Sequence, residues 1–149
     1  VLPGHNFRLP NHLAALGISQ LKNLKKFNYQ RRKIAKSYDR FFYQYPDLFC
    51  VQKVSSLLTH SYQMYSVLVK QDKRNDLLFY LRKRGIEASA HFDPPLHQQN
   101  YLKKYTKKLV NTDILAKSIV TLPMYPNLKK KELNRIFNSI QNWYKKNKR

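Results

Sequence analysis

Residues 4–45 read GHNFRLPNHLAALGISQLKNLKKFNYQRRKIAKSYDRFFYQY, and this stretch decides the architecture. From Asn11 to about Tyr45, the residues Leu13, Leu16, Leu21, Leu24, Phe27, Ile34, Tyr38 and Phe41 recur at threes, fours and their sums, with Lys, Arg and Gln between them. That period predicts one long amphipathic helix. Asn11, directly after Pro10, suits its N-cap. Pro46 ends the run, because the residue before a proline is pushed out of helical geometry. Ala14, Ala15 and Gly17 thin one face of the helix and let another backbone come close.

Downstream the pattern changes. A short apolar stretch at Leu48 to Val51 precedes a link through Ser55 and Ser56, and His60 to Lys70, rich in aromatic and β-branched residues, reads as a strand. Lys73 to Arg84 reads as a helix with Leu77, Leu78 and Leu81 inward, stopped by the left-handed turn that Gly85 supplies. Ile86 to Phe92 reads as a second strand, completing a strand–helix–strand unit. Asp93-Pro94-Pro95 forces a break, and His97 to Tyr105 is a short helix or irregular. Asn111 to Lys117 is helical, capped by Asn111 or Thr112, and leads into a strand at Ile119 to Leu122. Leu128 to Trp143 forms a last helix with Leu133, Ile136, Phe137, Ile140 and Trp143 on one face, before a basic, fraying tail. The fold class is therefore α/β: a long leading helix and a small sheet of three or four strands covered by helices.

Composition bounds what such a chain can do. Its 149 residues suit one ordinary domain or a large fragment, and 42% hydrophobic residues supply a core. No apolar run approaches the ~20 residues needed to cross a membrane, and no signal-peptide pattern opens the chain. The first residue is Val1, which agrees with a chain that begins mid-protein. Cys50, the single cysteine, has no partner for a disulfide or a metal site and reads as a small buried hydrophobe in a reducing cytoplasm. The 29 Lys+Arg against 8 Asp+Glu give a formal charge of +21, which attracts polyanions non-specifically. The cations, however, interleave with apolar positions as solvated helix faces do, so neither a specific nucleic-acid role nor a membrane role is expected.

Two clusters stand out once Gly-rich phosphate loops, GxSxG, HExxH and cysteine pairs are found missing. Gly4-His5-Asn6-Phe7-Arg8 places an amide and a guanidinium before a helix, an arrangement that suits phosphate or carboxylate but also an ordinary capped loop. His91-Phe92-Asp93-Pro94-Pro95-Leu96-His97 carries two imidazoles across a proline-stiffened bend. Each histidine taken alone is a surface residue or a ligand-binding group, and no third partner at metal-site spacing accompanies them. The eight carboxylates fall mostly on helix surfaces and turns, so a paired-carboxylate site is not expected.

The ordered set of segments carries a further reading. Gly4 to Asn11, running on through Ala14-Ala15-Leu16-Gly17 to Gln20-Leu21, resembles the G-x-N-x-R segment and following helix of DegT/DnrJ/StrS-type aminotransferases. Arg31 to Tyr38, Ser61 to Tyr65, Leu81 to Ile86, His91 to His97 and Leu122 to Pro126 follow in that family's order, so the resemblance covers Gly4 to about Trp143.

It implies the small C-terminal domain of a fold-type-I enzyme, with residues 1–45 as loop and interdomain helix and 46–149 as the small α/β domain. It implies pyridoxal phosphate in the complete enzyme and transfer of an amino group, usually from glutamate, to a nucleotide-linked ketosugar for cell-surface polysaccharide or deoxyaminosugar biosynthesis. It implies that Asn6, with Arg8 close by, reaches across a homodimer to the neighbour's cofactor phosphate, and that His91 and then His97 lie near the substrate. In the family the Schiff-base lysine precedes the G-x-N-x-R segment, so no catalytic residue is expected in this chain. Many relatives carry an aromatic residue where this chain has His5, and some use the scaffold for sugar dehydration. Alternatives are a catalytically inactive remnant or dimerisation module, and a basic nucleic-acid-binding module.

Overall fold

The structure, a computed structural model, describes residues 9–105 and 108–148. Helix α1 spans Asn11–Phe42, 32 residues and so about 48 Å of helix. Asn11 is its first helical residue and does not cap it. Pro10 holds the half-in position with an extended backbone, and its carbonyl accepts the first turn's bond from Ala14 N–H at 3.0 Å. The helix ends a turn before Pro46. Gln44 and Tyr45 N–H reach back three residues, to the Phe41 and Phe42 carbonyls, and tighten the chain there.

The remaining elements are β1 (Phe49–Val51), β2 (Tyr65–Val69), α2 (Arg74–Arg82), α3 (Val110–Ser118), β3 (Ile119–Leu122) and α4 (Lys130–Asn147), with 3₁₀ turns at Leu96–Gln98 and Asn100–Tyr105. Among the described residues the three strands form one sheet in the order β1-β2-β3, antiparallel throughout, with Val69 opposite Phe49 and Val67 opposite Val120. The β2 residues alternate between buried and half-buried, so Tyr65, Val67 and Val69 face the core.

Several expectations are corrected. The strand expected over 60–70 keeps only Tyr65–Val69, where hydrogen-bonding partners exist on both sides. The strand expected over 86–92 reduces to one bridge: Ser89 exchanges both backbone bonds with Thr121, at 3.0 and 2.7 Å. Its carbonyl at Ala88 is taken instead by the Arg82 side chain, at 2.8 Å. The strand–helix–strand unit therefore closes through an antiparallel β3. Neither Asn111 nor Thr112 caps α3, since both lie inside its first turn. Helix α4 extends past Trp143 into the tail expected to fray, because Trp143 and Tyr144 are buried. Cys50 is exposed, at the outward position of the edge strand between Phe49 and Val51.

The core lies between the sheet and the C-terminal half of α1, with α2 and α4 closing it. Tyr38 is fully buried, stacks on Tyr65 with ring centroids 4.5 Å apart, meets Phe137 edge-on at 5.6 Å and donates its hydroxyl to the Pro123 carbonyl at 2.9 Å. Other aromatic tips find carboxylates: Tyr65 Oη donates to Asp39 at 2.7 Å, Trp143 Nε1 to Asp76 at 2.6 Å and Tyr144 Oη to Asp47 at 2.9 Å. The N-terminal half of α1 has no such cover: Leu13, Leu16, Ile18, Leu21 and Leu24 are all exposed, as is Leu9 just before it. Helix α2 stops as expected. Gly85 sits at φ +66°, its N–H bonds the Arg82 carbonyl, and Ile86 N–H bonds the Leu81 carbonyl at 3.1 Å. Among the described residues no helix is long and apolar enough to cross a membrane.

Two predictions follow from the packing. A Cβ at Gly85 would occupy the left-handed region and meet the Arg135 guanidinium at 3.3 Å. Gly85→Ala is therefore expected to cost about 1–2 kcal/mol, read as a lower urea midpoint at unchanged slope. Burial pushes the Tyr38 hydroxyl far above its ordinary value of 10.0, and burial followed by the Asp39 bond does the same to Tyr65. The unfolded chain gives up these protons near pH 10 while the folded one keeps them, so stability falls as pH rises through that value. In a tyrosinate absorbance titration, Tyr38 and Tyr65 should ionise only together with unfolding; a fully ionised, still folded chain would contradict this.

Candidate functional site

After the Gly85 turn the chain tightens once more, with Ala88 N–H bonding the Ile86 carbonyl at 2.8 Å, and then meets β3 at the Ser89 bridge. Glu87, Ser89 and His91, together with the buried Ile86 and Ala88, line an open cleft of about 710 Å³. Thr121 of β3 faces the same cleft, and its hydroxyl lies 3.1 Å from that of Ser66 on β2. His91 is half-buried, with Nδ1 3.1 Å from Ser89 Oγ and its ring edge-on to Phe92. That contact leaves Nε2 as the nitrogen through which the imidazole can donate to, or accept from, a ligand hydroxyl or phosphate oxygen.

The loop after His91 is pinned twice. Arg74, at the start of α2 and only 6% exposed, donates Nη2 to Asp93 Oδ2 at 2.5 Å and Nε to the Lys117 carbonyl at 3.1 Å. Further on, His97 Nε2 lies 2.7 Å from Asp113 Oδ1, and Gln98 Nε2 donates to the same oxygen at 2.6 Å. The His97 bond, ahead of the other influences, holds the Asp113 carboxyl below its ordinary range. The two histidines named from the sequence therefore have different surroundings. His91 looks into the cleft, whereas the His97 imidazole is committed to α3 and is not among the residues lining that cleft.

Sequence reasoning missed three contributors. Ser89 was legible as the residue two before His91. Thr121 and Arg74 gave no local signal, since their roles depend on contacts 32 and 19 residues away in sequence. Asn6 and Arg8 lie outside the described residues.

The described residues can also be tested against a cofactor amine site. A lysine that forms a Schiff base at neutral pH needs an amine desolvated or otherwise driven to its neutral form. Of the lysines whose side chains are described, none is buried, and the half-buried Lys73 donates Nζ to the Asn147 carbonyl at 2.5 Å. These lysines do not fit that role. Nor does any group of three or more His, Cys, Asp or Glu among the described residues form a metal site.

Comparison with known proteins identifies the scaffold. The chain is 31% identical over 142 residues to the GDP-perosamine synthase of Escherichia coli O157:H7, covering 95% of this chain and 38% of that protein. Among solved structures it superimposes on Helicobacter pylori PseC, an aminotransferase involved in the biosynthesis of pseudoaminic acid, with a TM-score of 0.82 at 30% identity, over 96% of this chain and 39% of PseC. A DegT DnrJ EryC1 StrS aminotransferase from Brucella abortus gives a TM-score of 0.82 at 25% identity, over 91% of this chain and 36% of that one. The chain thus spans about two-fifths of the length of these relatives. The family's enzymes are pyridoxal-phosphate-dependent sugar aminotransferases. The family profile itself matches residues 1–141, and the chain belongs to the DegT/DnrJ/EryC1/StrS aminotransferase family.

Proposed function

We propose that this chain is the C-terminal part of a pyridoxal-phosphate-dependent aminotransferase acting on a nucleotide-linked ketosugar, in cell-surface polysaccharide or deoxyaminosugar biosynthesis. One observation carries the reading: a family match over residues 1–141 in a chain that spans only about two-fifths of its relatives. Residues 1–45 then serve as loop and interdomain helix and 46–149 as the small domain, with the last turns of α1 built into the small domain's core. The open apolar stripe from Leu9 to Leu24 supports this, since it continues the buried face of the same helix.

In the complete enzyme the bound cofactor supplies the electron sink for amino transfer from a donor such as glutamate. This chain's own residues bind and orient. The Asn6 amide and Arg8 guanidinium reach across a homodimer to the neighbour's cofactor phosphate, a dianion suited to both donors. His91, steadied by Ser89, offers Nε2 to the sugar nucleotide, while His97, held by Asp113, shapes the entrance. The catalytic amine comes from the remainder of the enzyme, and the cytoplasm is its compartment.

The reading has direct tests. The chain mixed with pyridoxal phosphate should give no stoichiometric borohydride-trappable adduct; trapping at one lysine would overturn its assignment as a non-catalytic part. Co-expression with the cofactor-binding region of a relative should restore transamination from glutamate. Association without turnover would instead favour an inactive dimerisation module. In the restored enzyme His91→Ala should raise the KM for the sugar nucleotide about tenfold, the loss of one hydrogen bond to a charged group.

Gly17 separates intrinsic stability from docking. Nothing lies within 4 Å of a Cβ built there, so Gly17→Ala should stabilise the chain alone by about 0.5–1 kcal/mol. The same change should weaken association with the cofactor-binding region if the Ala14-Ala15-Gly17 face is a close-approach surface. Unchanged association, measured by titration calorimetry, would sink that role for the face.

A further inference from the structure

A buried arginine needs a reason. In a chain with 29 Lys+Arg, the charged side chains gain most of their solvation from water, and burying one is unfavourable unless it is paired and hydrogen-bonded. Among the described residues Arg74 is the arginine that the fold nonetheless buries, at 6% exposure, and its fork reaches two elements. Nη2 grips the Asp93 carboxylate and Nε grips the Lys117 carbonyl at the C-terminal end of α3. Asp93 stands two residues after His91. Lys117 stands one helical turn after Asp113, which holds His97 and Gln98 at the other end of the same loop.

The loop from His91 to Gln98 is thus tied to α3 at both ends, once directly and once through Arg74. The second tie is the one next to the cleft. Without it, the segment between the Ser89–Thr121 bridge and the 3₁₀ turn at Leu96 would keep the Asp93 N–H bond to the Ala90 carbonyl at 3.2 Å, the His91–Ser89 contact at 3.1 Å and the Gln99 Nε2 bond to the Pro94 carbonyl at 3.1 Å, none of which reaches α3.

We propose that Arg74 is a positioning residue that acts through Asp93 to fix the loop presenting the His91 imidazole to the cleft. A planar guanidinium is suited to this task because it holds a carboxylate and a carbonyl at once in a fixed geometry, which an ammonium does not. The assignment of the loop to substrate binding rests on the function proposed above; the clamp itself rests on the Arg74 contacts.

The test uses Arg74→Gln, Arg74→Lys and Asp93→Asn in the 149-residue chain. Asp93→Asn leaves Arg74 its bond to α3 and decides the matter should Arg74→Gln fail to fold. Amide exchange and the ¹⁵N shifts of the His91 ring are measured by NMR. Arg74→Gln and Asp93→Asn should accelerate exchange at Asp93 and Gln98, whose N–H groups bond the Ala90 and Pro95 carbonyls, about tenfold and shift His91 Nδ1 away from its Ser89-bonded value, while the Ser89 and Thr121 amides stay protected. Arg74→Lys should fall between. Folded variants with unchanged loop exchange and unchanged His91 ring signals would overturn the clamp.

In the enzyme restored with its cofactor-binding region, Arg74→Gln should raise the sugar-nucleotide KM with kcat within about twofold, the pattern of lost uniform binding. If the loop loosens in the chain but neither His91→Ala nor Arg74→Gln changes KM, the clamp stands and the substrate-facing assignment of His91 falls.

Discussion

The structure turns on the burial of Tyr38. Its ring is the point where α1, the sheet and α4 meet, stacked on Tyr65 of β2 and edge-on to Phe137 of α4. Its hydroxyl would be orphaned in that position and is satisfied by the Pro123 carbonyl, in the turn that joins β3 to α4. One side chain therefore fixes where the long helix docks and where the last helix begins. Phe41 stacking on Phe137 at 4.5 Å extends the same contact by one turn. Because the docked part of α1 is only its C-terminal half, everything before it projects beyond the core with its leucines open.

The scarcity of acidic residues acquires a meaning from the same core. Asp39, Asp47 and Asp76 each accept a bond from a buried or partly buried aromatic tip, Asp93 and Asp113 anchor the loop after His91, and Glu132 accepts from Tyr125 and the Lys129 N–H at the start of α4. Six of the eight carboxylates thus bond other parts of the chain, and the lysines whose side chains are described are exposed or, at Lys73, half-buried. The formal charge of +21 therefore stands beside a small set of anions used as hydrogen-bond acceptors for aromatic tips, the Arg74 fork and the start of α4.

The candidate site was legible in proportion to how local its signals are. His91 and the break at Pro94-Pro95 could be read from composition, and Ser89 stands two residues before His91, close enough in sequence for the two side chains to meet. The fate of His97 could not be read, because the residue that claims it, Asp113, lies on a helix that the sequence places but does not orient. Arg74 looked like one more cation on an amphipathic helix, and only the approach of the loop converts it into a buried clamp. The missing strand over 86–92 has the same origin: its residues favour extended backbone, but a strand needs a partner along its length, and β3 offers one at Thr121 alone.

By itself the sequence determined the helices and their inward faces, because helical periodicity is a property of neighbours three and four apart: α1 from Asn11, Leu77, Leu78 and Leu81 of α2, the Gly85 turn, and Leu133 to Trp143 of α4. It also determined the family, through the order of its segments from Gly4 onward. Tertiary structure alone decided the antiparallel pairing, the exposure of Cys50 and the division of the two histidines between cleft and anchor. Each of these depends on which surfaces meet across long sequence separations, and a local pattern carries no information about its distant partner.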